Sequence, residues 1–228
     1  VYSLAQIEGA TGGFDAKHLL EEGAFGAVFR GAIAGRAVAI KVLKPEAAAV
    51  KVAKKHEQFV GAGGFHKELE VLSQYKHQNI VELLGHCLSD DPAARQCLVF
   101  EFMEGGSLKS RIAGGPALAV QQRFDVASDI ARGLGHLHTQ ADPPIIHQDV
   151  KSDNVLLASI DGRLVAKVAD FGTARYAPTL LEGDNTHHTT GIVIGTTPYQ
   201  PPEYTGQGHV SEKTDTYAFG VVLCELLT

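Results

Sequence analysis

The chain has 228 residues, of which 44% are hydrophobic, so its length fits one domain or two closely joined lobes with a sizeable core. Its 20 Lys and Arg against 26 Asp and Glu give a formal net charge of −6. This balance disfavours nucleic acid as a partner, because surfaces that bind it are rich in Lys and Arg.

The three cysteines and the hydropathy pattern indicate the redox environment of the chain and whether it contains a membrane segment. Cys87, Cys97 and Cys224 are an odd number without CxxC spacing, which predicts free thiols and neither a disulfide framework nor a zinc site. The longest apolar run, residues 219–227, contains Glu225 and is too short to cross a bilayer. We therefore expect a reducing, intracellular setting and no membrane segment within this chain.

The first half predicts one short helix followed by strands. Ser3 and Gln6 have the spacing of a capping box, so a helix is expected to begin after Ser3. Short β-prone runs follow at residues 28–29, 37–42 and 97–102. Residues 45–49 predict a helix start, and residues 65–74 predict a second helix after a break at the glycine-rich stretch 61–64.

The second half predicts mainly helices. After Gly105-Gly106, apolar residues recur at every third or fourth position, which predicts one long amphipathic helix that ends before Pro143-Pro144. The residues expected on its apolar face are Val120, Phe124, Ala127, Ala131 and Leu134. A last apolar helix is expected from about Thr214 to the final residue, with residues 103–107 joining the two halves.

Two stretches of the first half carry residues suited to phosphate binding. Residues 20–28 read LEEGAFGAV, in which Gly23 and Gly26 would let backbone N–H groups approach a phosphate. An ordinary hairpin turn explains this stretch equally well. Residues 38–41 read VAIK, and a lysine at the end of an apolar strand needs an anionic partner if it is buried. The alternative is a surface Lys41 with only its aliphatic stem packed.

The second half contains more specific motifs. Residues 147–154 read HQDVKSDN, residues 170–172 read DFG, residues 195–203 read GTTPYQPPE and residues 215–220 read DTYAFG. Each motif alone could be a solvated loop. Their occurrence together, in this order and spacing, disfavours an unrelated globular domain.

The set of motifs resembles that of eukaryotic-type Ser/Thr protein kinases, most closely plant receptor-like kinases and interleukin-1-receptor-associated kinases. Residues 80–87 (IVELLGHC) and 131–138 (ARGLGHLH) add to the resemblance, which covers nearly the whole chain. It implies an α+β bilobal protein kinase fold, with a small antiparallel β-sheet lobe and a larger, mainly helical lobe that lacks its last helices. The implied domains are an N-terminal extension at residues 1–17, the kinase N-lobe at 18–103 and an incomplete C-lobe at 104–228.

The resemblance also implies ATP and Mg²⁺ as cofactors and a protein Ser or Thr as phosphate acceptor. The implied catalytic residues are Asp149, Lys151, Lys41 and Glu68. The implied nucleotide-binding residues are Gly23, Gly26, Val28, Ala39, Lys41, Glu101, Met103, Asn154, Leu156 and Asp170. Of these, Asn154 and Asp170 would bind Mg²⁺, and the backbones of Glu101 and Met103 would bind adenine.

The roles follow the family pattern. Asp149 would accept or orient the proton of the substrate hydroxyl, Lys151 would hold the γ-phosphate side, and Lys41 would bind the α- and β-phosphates. Glu57 rivals Glu68 as the partner of Lys41, because the separation from Lys41 to Glu68 is long for this family. We prefer Glu68 and expect an insertion at residues 50–64.

Other residues have structural roles in the family. Phe100 would be the gatekeeper residue, and four side chains would stack as a regulatory spine over Asp215. The spine residues are Leu72, Leu83, His147 and Phe171.

Two residues depart from the family pattern. Glu21 replaces the first glycine of the phosphate loop, so we expect weaker ATP binding. Gln148 replaces the arginine that usually binds a phosphate on the activation loop, so we expect a non-RD kinase whose activity depends little on loop phosphorylation. The loop still offers hydroxyls for autophosphorylation, at Thr179, Thr186, Thr189 and Thr190. Thr196 is expected to be structural and to bond near Asp149 and Lys151.

Alternatives remain at this point. A pseudokinase scaffold would bind nucleotide without efficient catalysis, and a small-molecule kinase of the aminoglycoside or choline type would share part of the loop motif. Lys151, the complete DFG and the Pro202-Glu203 segment argue against the second. Family analogy places the chain in the cytoplasm, as the intracellular part of a membrane receptor with an upstream receptor or adaptor as partner. Kinases continue beyond the position of Thr228, so we expect the isolated chain to be poorly stable.

Overall fold

The computed structural model describes residues 1–23, 26–43, 62–89, 94–177, 188–189, 196–207 and 209–228. The predictions for residues 45–49, for Glu57 and for Thr179, Thr186 and Thr190 lie outside these ranges. The chain divides into two compact units. The first comprises Val1–Gln74 and Glu82–Phe102, and the second comprises Tyr75–Val81 and Met103–Thr228.

The first unit is built on a five-stranded antiparallel sheet with strand order β1-β2-β3-β5-β4. Its elements are α1 (Leu4–Thr11), β1 (Leu19–Glu22), β2 (Gly26–Ile33), β3 (Arg36–Leu43), α2 (Ala62–Gln74), β4 (Leu83–Cys87) and β5 (Cys97–Glu101). The predicted α+β class and the antiparallel sheet are confirmed.

The two faces of this sheet carry different residues, because side chains alternate along each strand. The register pairs Phe29 with Ile40 and Ile40 with Val99, so these three share one face. Ile7 of α1 is fully buried against this face. The opposite face holds the pairs Val28↔Lys41 and Ala39↔Phe100. The helix therefore covers one face and leaves Val28, Ala39 and Lys41 on the other.

The N-terminal segment is fixed to the sheet at several points. The predicted capping box is confirmed, since Gln6 N donates to Ser3 Oγ at 3.3 Å and Ser3 N donates to Gln6 Oε1 at 2.8 Å. Tyr2 N donates to His86 O at 2.9 Å, and the Tyr2 ring occupies the space that a Cβ on Gly85 would fill. These contacts place the start of α1 against β4.

Helix α2 corrects one prediction. It begins at Ala62, so Gly63 and Gly64 lie inside the helix and the expected break before Phe65 is wrong at these positions. Two glycines cost a helix roughly 2 kcal/mol relative to alanine. Burial of Phe65 and Leu72 offsets this cost, because most helical stability in proteins comes from packing of an apolar face.

The second unit is mainly helical, with three short two-stranded ribbons, β6–β9, β7–β8 and β10–β11. Its elements are α3 (Leu108–Gly114), α4 (Val120–Thr139), β6 (Ile145–Ile146), β7 (Val155–Ile160), β8 (Arg163–Val168), β9 (Arg175–Tyr176), β10 (His188–Thr189), α5 (Pro202–Gln207), β11 (His209–Val210) and α6 (Glu212–Leu227). The predicted last helix is present as α6. No helix in the described ranges has both the length and the apolar character needed to cross a membrane.

Helix α4 has the predicted length but a different buried face. Val120 and Phe124 are 70% and 66% exposed and Ala131 is also exposed, so the predicted apolar face is wrong at these positions, whereas Leu134 is buried as predicted. The buried side chains of α4 are Val126, Asp129, Ile130, Leu134 and Leu137.

A buried carboxylate explains the orientation of α4. Asp129 accepts hydrogen bonds from Arg163 at 2.8 Å and from Ala166 N at 3.0 Å, and it also pairs with Arg132. Burial alone would raise the pKa of Asp129, but the hydrogen bonds from Ala166, Arg163 and Arg132 outweigh it and lower that pKa. A polar residue with specific partners therefore turns this helix towards β8.

The segment at residues 75–81 is bound to β8. Val168 N donates to Asn79 O at 2.9 Å, and the Asn79 side chain donates to Ala166 O at 3.0 Å. Asn79 N in turn donates to Nδ1 of His77 at 3.1 Å. The His77 ring stacks on His136 with centroids 4.9 Å apart.

The His77 contacts predict an acid-sensitive fold. Burial lowers the pKa of His77 below its ordinary 6.5, and the neighbouring His136 and Arg132 lower it further. The neutral ring is therefore favoured in the folded state. The stabilisation of the folded state by the neutral His77 ring is complete above about pH 6.5, and it is lost as the pH falls towards the lowered pKa. Urea unfolding at pH 7.5 and pH 5.5 should give a lower free energy of unfolding at pH 5.5.

The His77→Gln variant is the control, because glutamine can accept a hydrogen bond but does not titrate. We expect a smaller pH dependence for this variant. An unchanged pH dependence would contradict the assignment to His77.

Candidate active site

The loop before β7 is anchored to a carboxylate that is fully buried in α6. Asp215 accepts hydrogen bonds from His147 N at 2.8 Å and from Gln148 N at 2.9 Å. The ring nitrogen Nε2 of His138 lies 2.8 Å from the same carboxylate. Since a buried carboxylate is costly without donors, these bonds hold the loop backbone at residues 147–148 in one conformation.

The ring of His147 extends this anchor. Nε2 lies 3.0 Å from Ala169 O, and Nδ1 accepts from Asp149 N at 3.3 Å. These contacts require a neutral ring with its proton on Nε2. The His147 and Phe171 rings meet edge to face, with centroids 4.8 Å apart. The predicted stacking of His147 and Phe171 beside Asp215 is confirmed, while Leu72 and Leu83 belong to the other unit.

Asp149 lies at the centre of a group of donors. Its Oδ2 accepts from Lys151 Nζ at 2.7 Å and from Asn154 Nδ2 at 3.0 Å. Its Oδ1 accepts from the Thr196 backbone N at 3.1 Å and from the Thr196 hydroxyl at 2.9 Å. Lys151 also donates to Thr196 Oγ1 at 3.0 Å. The expectation that Thr196 bonds to Asp149 and Lys151 is therefore confirmed.

Asn154 and Asp170 are brought to neighbouring positions by their backbones. Val155 pairs with Val168 at the end of the β7–β8 ribbon, and Ala169 N donates to Asn154 O at 2.8 Å. Nδ2 of Asn154 donates to the backbone oxygen of Asp149 as well as to its carboxylate. The carbonyl oxygen of the Asn154 side chain takes part in neither bond. Asn154 and Asp170 thus lie one register position apart on adjacent segments. Their side chains carry an amide oxygen and a carboxylate, which are hard ligands of the kind that Mg²⁺ prefers.

In the first unit, Lys41 of β3 and Glu68 of α2 form an ion pair. Lys41 Nζ donates to Glu68 Oε2 at 2.6 Å. The Glu68 carboxylate is almost completely buried, whereas Lys41 is partly exposed on the sheet face opposite α1. Buried carboxylates need such partners. The pairing that the sequence predicts for these two residues is present.

The comparisons with known proteins agree with this geometry. Residues 14–228 match the family model of protein tyrosine and serine/threonine kinases. The chain belongs to the protein kinase family.

Three relatives are receptor-like kinases of Arabidopsis thaliana. The chain is 40% identical to receptor-like protein kinase THESEUS 1 over 229 residues. The alignment covers 99% of this chain and 24% of the relative. Receptor-like protein kinase HERK 1 is 39% identical, over 98% of this chain and 25% of the relative. Proline-rich receptor-like protein kinase PERK8 is 37% identical, over 100% of this chain and 31% of the relative. The chain thus spans a quarter to a third of these relatives, and the resemblance to receptor-like kinases is confirmed.

The other residues that the resemblance implies for nucleotide binding each lie in one unit or the other. The first unit holds Gly23, Gly26, Val28, Ala39 and Glu101, and the second holds Met103 and Leu156. The Glu101 carboxylate accepts from Glu82 N at 2.7 Å on the α1 face, so only its backbone is available for adenine. Leu157 N donates to Gly106 O at 2.8 Å, which places residues 103–106 beside Leu156.

Gly26 has a structural reason to be glycine. A Cβ at this position would lie 2.5 Å from Val42 O on the neighbouring strand. Gly23 N donates to Gly26 O at 2.9 Å, which closes the turn between β1 and β2. The glycine pattern is thus explained in part by close approach of two strands, as the hairpin alternative proposes.

Of the two residues that depart from the family pattern, Gln148 has the clearer effect on the structure. Its side chain is 4% exposed, and among the described residues neither its Oε1 nor its Nε2 has a hydrogen-bond partner. Its backbone has a positive φ of 69°, and its N–H is bound to Asp215. A neutral amide therefore occupies the position of the usual cation.

A second contact of the loop at residues 147–154 was not predicted from the sequence. The Tyr199 hydroxyl donates to Glu225 Oε1 at 2.6 Å and lies 3.2 Å from Ser152 Oγ. Burial and the bond to Glu225 raise the pKa of Tyr199. These residues join the loop, the segment after Thr196 and α6. A tyrosine hydroxyl beside a proline was a possible sign of such a contact. Its partner Glu225 lies 26 positions away in the sequence, so the pairing was not visible there.

The bonds of Thr196 predict a specific effect on phosphoryl transfer. Thr196→Val removes the hydroxyl that bonds both Asp149 and Lys151 at nearly constant volume. We expect the turnover rate to fall about tenfold to 100-fold, because misplacing a catalytic group by about 1 Å has effects of this size.

Thr197→Val is the matched control, since Thr197 is the exposed neighbour of Thr196. Radiolabelled phosphate transfer to a generic protein substrate measures both variants. Equal rates for the two variants would contradict a positioning role for Thr196.

Proposed function

We propose that this kinase domain transfers the γ-phosphate of ATP to Ser or Thr hydroxyls of proteins, within receptor-like-kinase signalling. One observation carries the proposal: Asp149 and Lys151, on a loop anchored to Asp215, form a closed hydrogen-bonded group with Thr196 of a later segment. The names of the relatives support the receptor-like assignment. The proposal includes an upstream receptor or adaptor as a partner.

Asp149 is the residue that would handle the substrate proton. The Lys151 cation and the two donors from Thr196 keep its carboxylate in place. When substrate and nucleotide bind, Asp149 would orient the acceptor hydroxyl and take its proton. Lys151 would then place its ammonium beside the transferred phosphate.

ATP and Mg²⁺ fit the residues present. Asn154 and Asp170 would hold the metal through hard oxygens, and Asn154 would remain oriented by its bonds to Asp149. Bound Mg²⁺ supplies charge neutralisation for the phosphate oxygens. Lys41 would bind the α- and β-phosphates while Glu68 fixes its ammonium position.

Two substitutions test the assignment directly. Lys41→Met and Asp149→Asn should each lower incorporation of ³²P from ATP into a generic Ser/Thr substrate about 100-fold or more, because each removes a charge that acts on the reacting groups. Asp149→Asn should retain binding of a fluorescent ATP analogue. Analysis of the labelled amino acids should find phosphoserine and phosphothreonine.

Two control variants make the same kinds of substitution at exposed residues. Asp153→Asn changes an exposed carboxylate that pairs with Lys109, and Lys17→Met changes an exposed lysine that pairs with Asp15. Both should keep their rates within about twofold to threefold. A wild-type chain that binds nucleotide but transfers no phosphate would support the pseudokinase alternative instead.

We further propose that catalysis does not require a phosphorylated activation loop. Gln148 offers an amide where a cation would pair with a loop phosphate. Treatment with a protein phosphatase should leave the rate within about twofold, while a Gln148→Arg variant should become sensitive to the same treatment. Loss of wild-type activity after dephosphorylation would contradict this.

A further inference from the structure

The sheet of the first unit places two cysteines side by side. Cys87 of β4 and Cys97 of β5 are direct partners in the antiparallel register. Directly opposed residues in such a pair have Cα atoms roughly 4.5 or 5.5 Å apart. Both values fall within the range of about 4.4–6.8 Å that a disulfide requires. The strand pairing is therefore compatible with a bond between the two sulfurs.

Both thiols are inaccessible while α1 is in place. Cys87 is 6% exposed and Cys97 is 0% exposed, and both belong to the cluster around Ile7. Burial raises the pKa of Cys87, and burial together with the adjacent Cys87 raises the pKa of Cys97 to about 12. Since the thiolate is the reactive form, both cysteines resist oxidation in this conformation. Cys224, by contrast, is exposed.

The cover over this pair is a small element. Helix α1 has eight residues and a single fully buried large side chain, Ile7, with Tyr2 and Leu4 partly buried beside it. A helix this short is marginal on its own, so its helical state depends on docking to the sheet. Elements with few buried contacts open before the rest of a domain. The helix can therefore leave while the sheet remains paired.

We propose that Cys87 and Cys97 are a latent redox pair, which a peroxide converts into a disulfide when α1 leaves the sheet. In the first step the thiol of one cysteine is oxidised by hydrogen peroxide to a sulfenic acid, and one water is released. In the second step the other sulfur attacks the sulfenic sulfur. The S–O bond breaks, the S–S bond forms and a second water leaves with the thiol proton. Two thiols thus give two electrons to one peroxide.

Two substitutions in α1 shift its docking in opposite directions. Ile7→Ala removes the buried side chain, and a cost at the low end of the range for such changes makes opening about thirtyfold more frequent. Gly9→Ala favours the helix at a position where an added Cβ meets no atom within 4 Å, which should make opening about fivefold rarer. The two variants bracket the wild type without touching either cysteine.

The first experiment measures alkylation of each cysteine by iodoacetamide with mass spectrometry, with exposed Cys224 as reference. Cys87 and Cys97 should react about thirtyfold faster in Ile7→Ala and about fivefold slower in Gly9→Ala. Hydrogen exchange at residues 38–42, measured on the same samples, should not change. Exchange there that rises in parallel with alkylation would show opening of the whole sheet and would overturn the proposal.

The second experiment treats Ile7→Ala, in a Cys224→Ser background, with hydrogen peroxide. Trypsin cleaves after Arg95, so a Cys87–Cys97 disulfide joins two peptides that reduction separates. We expect this linked peptide to be the main product within one chain, and to form more slowly without Ile7→Ala. Separate overoxidation of the two cysteines, or bonds between chains, would overturn the proposal.

Discussion

A buried negative charge on α6 governs the geometry of the second unit. Asp215 has no exposed surface, so each of its oxygens must be satisfied from within the protein. Two of its donors are consecutive backbone N–H groups, of His147 and Gln148. The loop that carries Asp149 is therefore held by its own main chain, and its conformation does not depend on a substrate.

From this anchor the arrangement extends outward through ordinary hydrogen bonds. His147 joins the anchored loop to Ala169, next to Asp170, and Asn154 is tied to the same segment through Ala169 N. Thr196 closes the group around Asp149 from the other side. Preorganised donors of this kind are what phosphoryl transfer requires, because its barrier is lowered mainly by positioning and charge.

The sheet of the first unit separates two tasks by its faces. Lys41 and Ala39 point to the face where we propose that nucleotide binds, while the alternate residues Val38 and Ile40 pack under α1. A change in α1 can thus reach the cysteine pair without altering residues on the other face. The same alternation explains why Glu101 contributes only backbone atoms to the proposed nucleotide site.

Residues in linear motifs were predictable from the sequence, because Asp149, Lys151 and Asn154 lie within a few positions of each other on one loop. The Lys41–Glu68 pair followed from the resemblance to protein kinases, because the apolar strand alone also allowed a surface lysine and left Glu57 as a rival partner. The buried face of α4 was not, because Asp129 finds its arginines and the N–H of Ala166 only after folding. Cys87 and Cys97 are ten positions apart, and only the register of β4 with β5 brings them together.

A crystal structure of the chain with Mg²⁺ and a non-hydrolysable ATP analogue tests the central claim most directly. The claim is that the loop anchored by Asp215 holds Asn154 beside Asp149, and that Asn154 and Asp170 of the adjacent segment together bind the metal. The account predicts metal bonds of about 2.1 Å to the side-chain oxygens of Asn154 and Asp170, with the bonds from His147 N and Gln148 N to Asp215 unchanged. A metal bound without either residue, or a loop that detaches from Asp215, would contradict it.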